Sequence, residues 1–172
     1  MKAILLLLTF ILTGCSTIDV KDVNQIANET TIKYDQYDAL YTINGLDYRL
    51  SNGIFDSHTI DVRLRGTLNK NGSGKSFQLY IFLWGDYYLS PKSASDISGN
   101  ALVLKEIGSG RSAWWPDTVM EKLVVDLTYE YLMSHRDVGI NIRIKNDISS
   151  TIVTLPGIYV RAFLDGYNKL KP

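Results

Sequence analysis

The chain has 172 residues, with 18 basic and 18 acidic side chains, a formal net charge of +0 and a sequence pI near 6.7. That balance excludes the concentrated basic surface that nucleic-acid phosphates require. The length suits one domain able to bury about two-thirds of its unfolded surface, and a single cysteine excludes an intrachain disulfide, so core burial must hold the fold.

Met1 and Lys2 lead into an apolar run from Ala3 to Leu12, interrupted only by Thr9, and then into Leu12-Thr13-Gly14-Cys15. A charged start, a short apolar stretch and small residues before a cut are the three parts of a secretory signal. Ten helical residues rise about 15 Å, half of a ~30 Å hydrocarbon core, which argues against a spanning helix. Leu12-Thr13-Gly14-Cys15 resembles the lipobox of bacterial lipoproteins. The resemblance implies diacylglycerol on the Cys15 thiol, cleavage between Gly14 and Cys15, and acylation of the new amine, with no other cofactor. Ser16, where inner-membrane lipoproteins commonly carry Asp, then implies an outer-membrane anchor facing the periplasm, in a source with two membranes. One acyl chain holds a bilayer only marginally, with K on the order of 10⁴ M⁻¹, whereas two or more anchor stably. The alternative is an ordinary signal peptide with a coincidental cysteine.

Residues 1–14 are thus expected to be a signal, 15–36 a lipidated cysteine with a polar tether, and 37–172 one β domain. Val20, Val23, Ile26 and Ala27 are spaced for a short helix within the tether. From Tyr37 the pattern has period two. His58 to Asn69 places Ile60, Val62, Leu64 and Leu68 on one face and Asp61, Arg63, Arg65 and Thr67 on the other, a half-buried strand. Asn69 to Lys75 supplies turn chemistry, and Phe77 to Trp84, apolar on both faces, returns as a central strand. Ala101–Ile107, Val119–Leu132, Val138–Lys145, Thr151–Leu155 and Ile158–Asp165 read as further strands. Ser134–Asp137 and Asn146–Ser150 read as hairpin connections. The expectation is an all-β, antiparallel β-sandwich of about seven to eight strands, with a closed barrel as the alternative.

No catalytic constellation emerges. Gly72-Ser73-Gly74-Lys75-Ser76 imitates the end of a P-loop, but Asn69 stands where its first glycine belongs and strands flank it. His58 and His135 have no neighbours at metal-ligand spacing and read as solvated or capping, so no metal is expected. Asp96 to Asn100 lacks the acidic density of a calcium loop. No Gly-x-Ser-x-Gly elbow occurs, and the expectation is a protein without enzymatic activity. The aromatic loops remain: Trp114 and Trp115 with Arg111, and Tyr87 and Tyr88 after the central strand. These rings either cap the open end of the sandwich or are exposed for binding. An envelope-protein partner is the first reading of such a surface. A glycan or peptidoglycan ligand, and an inhibitor or immunity-type role, are the others.

Overall fold

The computed structural model describes residues 23–50 and 58–170. The expected signal, Gly14, Cys15 and Ser16 lie outside the described residues. In chain order the elements are α1 (Val23–Glu29), β1 (Thr31–Asp35), β2 (Leu40–Asn44), β3 (Tyr48–Leu50), β4 (Thr59–Asn69), β5 (Ser76–Gly85), β6 (Ser93–Asp96), β7 (Ala101–Leu102), β8 (Leu104–Arg111), β9 (Val119–Leu127), α2 (Tyr129–Ser134), β10 (Ile140–Lys145), β11 (Ser150–Leu155) and α3 (Gly157–Asn168).

The fold is an all-β antiparallel sandwich. The larger sheet runs β1-β2-β4-β5-β9-β8, with the short β3 also paired to β4, and the smaller runs β11-β10-β6-β7. Alternation explains the larger sheet. Ile60, Val62, Leu64 and Leu68 on β4 are buried, as are Phe77, Leu79, Ile81 and Leu83 on β5. The register Val62↔Ile81 and Leu64↔Leu79 stacks both sets on one face. The connecting turn has Gly72 and Gly74 at φ 79° and 62°, a region that favours glycine. From the smaller sheet, Ile140, Ile142, Ile144, Val153 and Leu155 join the same core.

Several expectations need correction. Eleven strands occur among the described residues rather than seven or eight, because Ala101–Ile107 divides between β7 and β8 and because β1, β2, β3 and β6, unread in the sequence, also pair. Within 15–36 the expected short helix forms as α1 and contributes Ile26 to the core at 2% exposure, but β1 also pairs with β2 over five residues, so the folded unit begins by Val23 and not at Tyr37. Ile158–Asp165 is helical, inside α3. Its buried Tyr159, Val160, Phe163, Leu164 and Tyr167 recur at i, i+1, i+4, i+5 and i+8, one face of a 3.6-residue period, under a β-branched and aromatic composition that imitates a strand. Similarly, β9 stops at Leu127. The Thr128 hydroxyl accepts the Tyr131 N–H at 3.0 Å and starts α2, so Ser134–Asp137 leads into the other sheet and is no hairpin.

Helix α3 lies against β4 and β5. Phe163 Cζ is 3.3 Å from where a Cβ on Gly66 would stand, and the Phe77 and Tyr167 ring centroids are 4.9 Å apart. The helix can start only at a glycine, since a Cβ on Gly157 would be 2.2 Å from the Asp137 carbonyl oxygen. Near its N-terminus Tyr159 closes a gap in the sheet. β2 pairs with β4 up to Arg65, and β3 resumes at Val62. In the interval the Leu64 N–H donates to the Tyr159 hydroxyl at 3.3 Å, and that hydroxyl donates to the Leu46 carbonyl. Burial pushes the Tyr159 phenol well above its ordinary pKa, so the hydroxyl stays a donor at any ordinary pH.

Tyr159→Phe leaves one buried donor and one acceptor unpaired and is expected to lower stability by about 2 kcal/mol in urea titration. Phe163→Ala is expected to lose about 3–5 kcal/mol through the cavity it opens between α3 and the sheet. Wild-type unfolding of the Tyr159→Phe variant would mean that the hydroxyl does not complete the ladder.

Candidate functional site

One end of the sandwich gathers three loops. Gly85, the last residue of β5, pairs with Val119, and Val119 pairs with Arg111 at the end of β8. The loops 86–92 and 112–118 therefore leave the larger sheet side by side, with Gly85 and Arg111 two strands, about 10 Å, apart. The β10–β11 turn joins them, because the Asn146 side-chain amide donates to the Leu89 carbonyl at 2.7 Å and the Lys92 N–H donates to the Lys145 carbonyl at 2.8 Å.

The 86–92 loop crosses from one sheet to the other and is held by two buried polar side chains that sequence reasoning did not single out for this role. Glu121 on β9, 2% exposed, takes an inward position in register with Leu83. Its carboxylate accepts the Leu89 N–H at 2.6 Å and the Ser90 N–H at 2.7 Å, while Ser90 adopts φ 47°. Short bonds from backbone N–H groups to an ionised acceptor are among the stronger hydrogen bonds, which compensates for burying the charge. The detectable signal was an acidic residue in phase with the apolar face of Val119, Leu123, Val125 and Leu127. His58, expected as solvated or capping, is buried: its Nε2 lies 3.1 Å from the Tyr87 carbonyl oxygen, and its ring meets the Tyr87 ring edge-on with centroids 4.6 Å apart. His135 does sit at the C-terminal cap of α2, stacked on Tyr131 at 4.1 Å.

The 112–118 loop is closed on itself. Ser112 N–H donates to the Thr118 carbonyl and Thr118 N–H to the Trp115 carbonyl, both at 2.8 Å. The Ser112 hydroxyl accepts the Trp114 and Trp115 N–H groups at 3.3 and 3.1 Å. Arg111 folds back, its Nη1 donating to the Pro116 carbonyl at 3.0 Å, so it braces the loop instead of reaching outward. This bonding presents the indoles in a fixed turn without covering them: Trp114 is 86% and Trp115 68% exposed. They do not cap the sandwich. Tyr87 and Tyr88 are 59% and 42% exposed at the same end, and Ile148, at the tip of the β10–β11 turn, is almost wholly exposed. Exposed apolar side chains on the loop tips of one end suit recognition.

Trp84 belongs elsewhere. It lies with Tyr80 and Phe82 on the outer face of β5, where the Arg63 and Arg65 guanidinium carbons stand 5.7 Å from the Phe82 and Tyr80 ring centroids respectively. Arg49 pairs with Asp61 and Arg63 with Asp47, so the charges on this face are matched among its own side chains. Among the described residues no three His, Cys, Asp or Glu side chains converge as metal ligands.

Glu121→Ala removes both acceptors of the crossover and is expected to lower stability by about 2–4 kcal/mol, with Glu121→Gln intermediate because one oxygen remains. Hydrogen exchange at Leu89 and Ser90 is the direct check; unchanged protection in Glu121→Ala would show that the loop holds without the carboxylate. No protein-family model matches the chain, and no curated protein matches it, so the geometry of this loop end carries the functional interpretation.

Proposed function

We propose that the chain is a membrane-anchored, non-catalytic envelope lipoprotein whose sandwich docks a protein partner of a cell-envelope assembly through its loop end. The observation that carries this is the exposure of Trp114 and Trp115 on a turn whose backbone groups are already bonded. Both indoles are mostly exposed, and the turn fixes the backbone that carries them before any partner arrives, which lowers the ordering cost of association. Tryptophan and tyrosine are the side chains most enriched among residues that dominate binding energy. Tyr87 and Tyr88 extend the patch, with Arg111 as the brace beneath it.

The anchor is Cys15, through the lipobox resemblance. Because α1 starts at Val23, only residues 16–22 separate the lipidated cysteine from the folded unit. Seven residues reach at most about 25 Å, so the domain works close to the bilayer that holds the anchor.

In-cell crosslinking of the tagged protein in its native host is expected to give one stoichiometric protein adduct, lost in Trp114→Ala/Trp115→Ala while Tm is unchanged. Glycan or muropeptide retained on the bait without a protein adduct would transfer the same surface to a sugar ligand. A fall in Tm for the double variant would return the rings to a structural role. Cys15→Ser is expected to free the protein from the membrane fraction; full retention there would overturn the anchor.

A further inference from the structure

The outer face of the smaller sheet carries a trough of about 540 Å³, formed over β6, β7 and β10. Its shape follows from register. Arg143 stands opposite Ser95, and Ser95 opposite Ala101; Lys145 stands opposite Ser93. Serine and alanine side chains are too short to fill the space beside arginine and lysine, so β6 and β7 make a floor and β10 makes a wall. Two exposed apolar side chains flank it: Ile152, opposite Arg143 on β11, and Ile97, after β6.

The charges in this trough are uncompensated. Arg49, Arg63, Arg136 and Arg161 each hold a carboxylate, Arg65 holds the Tyr80 hydroxyl and Arg111 a carbonyl. Among the described residues Arg143 alone of the arginines has no such partner, and the Lys145 ammonium, two residues on, has none either. The one carboxylate in the lining, Asp96, stands in register with the inward-facing Ile142. It is turned to Asn100, whose backbone N–H and side-chain amide each donate to it at 2.8 Å. The Asn100 side-chain bond holds that carboxyl below its ordinary pKa, so it stays ionised and occupied.

Same-face residues of a strand two positions apart are about 6.7 Å apart, and this is also the spacing of same-face side chains on any other extended chain. We infer that the trough binds an acidic, extended peptide segment of a partner protein, with two carboxylates two residues apart on Arg143 and Lys145 and an apolar side chain against Ile97. Arginine's planar fork accepts a carboxylate in two parallel bonds, while lysine acts as a compact charge, so the segment is set in register as well as attracted. The trough belongs to the smaller sheet and does not depend on the aromatic loop end; either surface can fail while the other stands.

The test is fluorescence polarisation with the detergent-solubilised full chain and fluorescein-labelled Leu-Ser-Glu-Ser-Glu amide. Saturable binding is expected, weakened roughly tenfold or more in Arg143→Gln/Lys145→Gln at unchanged Tm, and absent for the peptide with both glutamates replaced by glutamine. Trp114→Ala/Trp115→Ala is expected to bind the peptide as the wild type does. The inference is overturned by no saturable binding, by equal binding of the glutamine peptide, or by wild-type affinity in the Arg143/Lys145 variant. It is also overturned by loss of binding in the tryptophan variant, which would move the site to the loop end. Displacement by an equal concentration of inorganic phosphate or short-chain phosphatidylglycerol would overturn it as well, identifying a site for any small anion or for a lipid headgroup.

Discussion

The two sheets are unequal in width, and the rest of the molecule is a response to that inequality. A seven-stranded sheet with one apolar face needs more cover than a four-stranded sheet supplies. Helix α3 closes the difference, laying Tyr159, Phe163 and Tyr167 over the region of β4 and β5 nearest the Asn69–Lys75 hairpin, with α1 packed on α3 in turn. The helix is welded to the sheet at one point. The edge beside β4 breaks between Asn44 and Tyr48, and an unpaired buried N–H at Leu64 would follow from that break. The Tyr159 hydroxyl accepts that proton and passes its own to Leu46, so the interruption of the edge and the position of the helix are one event.

At the opposite end the same problem is solved with a charge. The chain must leave β5, cross between layers and enter β6, and a crossover exposes backbone groups that no strand satisfies. Glu121 projects inward from β9 and takes two of them, His58 meets a third, and Asn146 takes the Leu89 carbonyl from the smaller sheet. Contributions from both sheets converge on loop 86–92. Tyr87 and Tyr88 therefore stand on a loop tied to both layers, with the Tyr87 ring against the buried His58.

The legible part of this fold was the part whose signal is local. Alternation in β4 and β5 and turn chemistry at Asn69–Lys75 and Asn146–Ser150 depend on neighbours in sequence, and they gave the sandwich. Helix α3 was hidden because its twelve residues are buried on most sides, so the polar half of a helical pattern is almost missing and valine, tyrosine and phenylalanine imitate a strand. β1 was hidden for the converse reason: all five residues are exposed, leaving no alternation to read. Of the site, Trp114, Trp115, Tyr87 and Tyr88 were visible as residue types, but their exposure depends on how loop 112–118 closes on Ser112, which spacing does not encode. Glu121 and Arg143 looked like ordinary members of alternating strands. One is buried and bonded, the other exposed and unbonded, and only the pairing of strands distant in sequence separates them.

The three tryptophans measure how this surface is divided. Trp84 lies on a face where Arg63 and Arg65 cover the neighbouring rings, Arg63 pairing with Asp47 and Arg65 with the Tyr80 hydroxyl, and its indole is half-buried there. Trp114 and Trp115 stand on a turn that spends its hydrogen bonds internally and places no side chain over them. An indole carries the largest apolar area of any side chain, and two left uncovered forgo several kcal/mol that burial would contribute. A fold that satisfies even the interrupted ladder at Leu64 has the means to cover them. On β8 the outward positions beside Lys122 and Met120 are Gly108 and Gly110, the second with open space where its Cβ would stand. The two glycines leave the outer side of β8 bare, and the indoles that follow it in the chain stay uncovered.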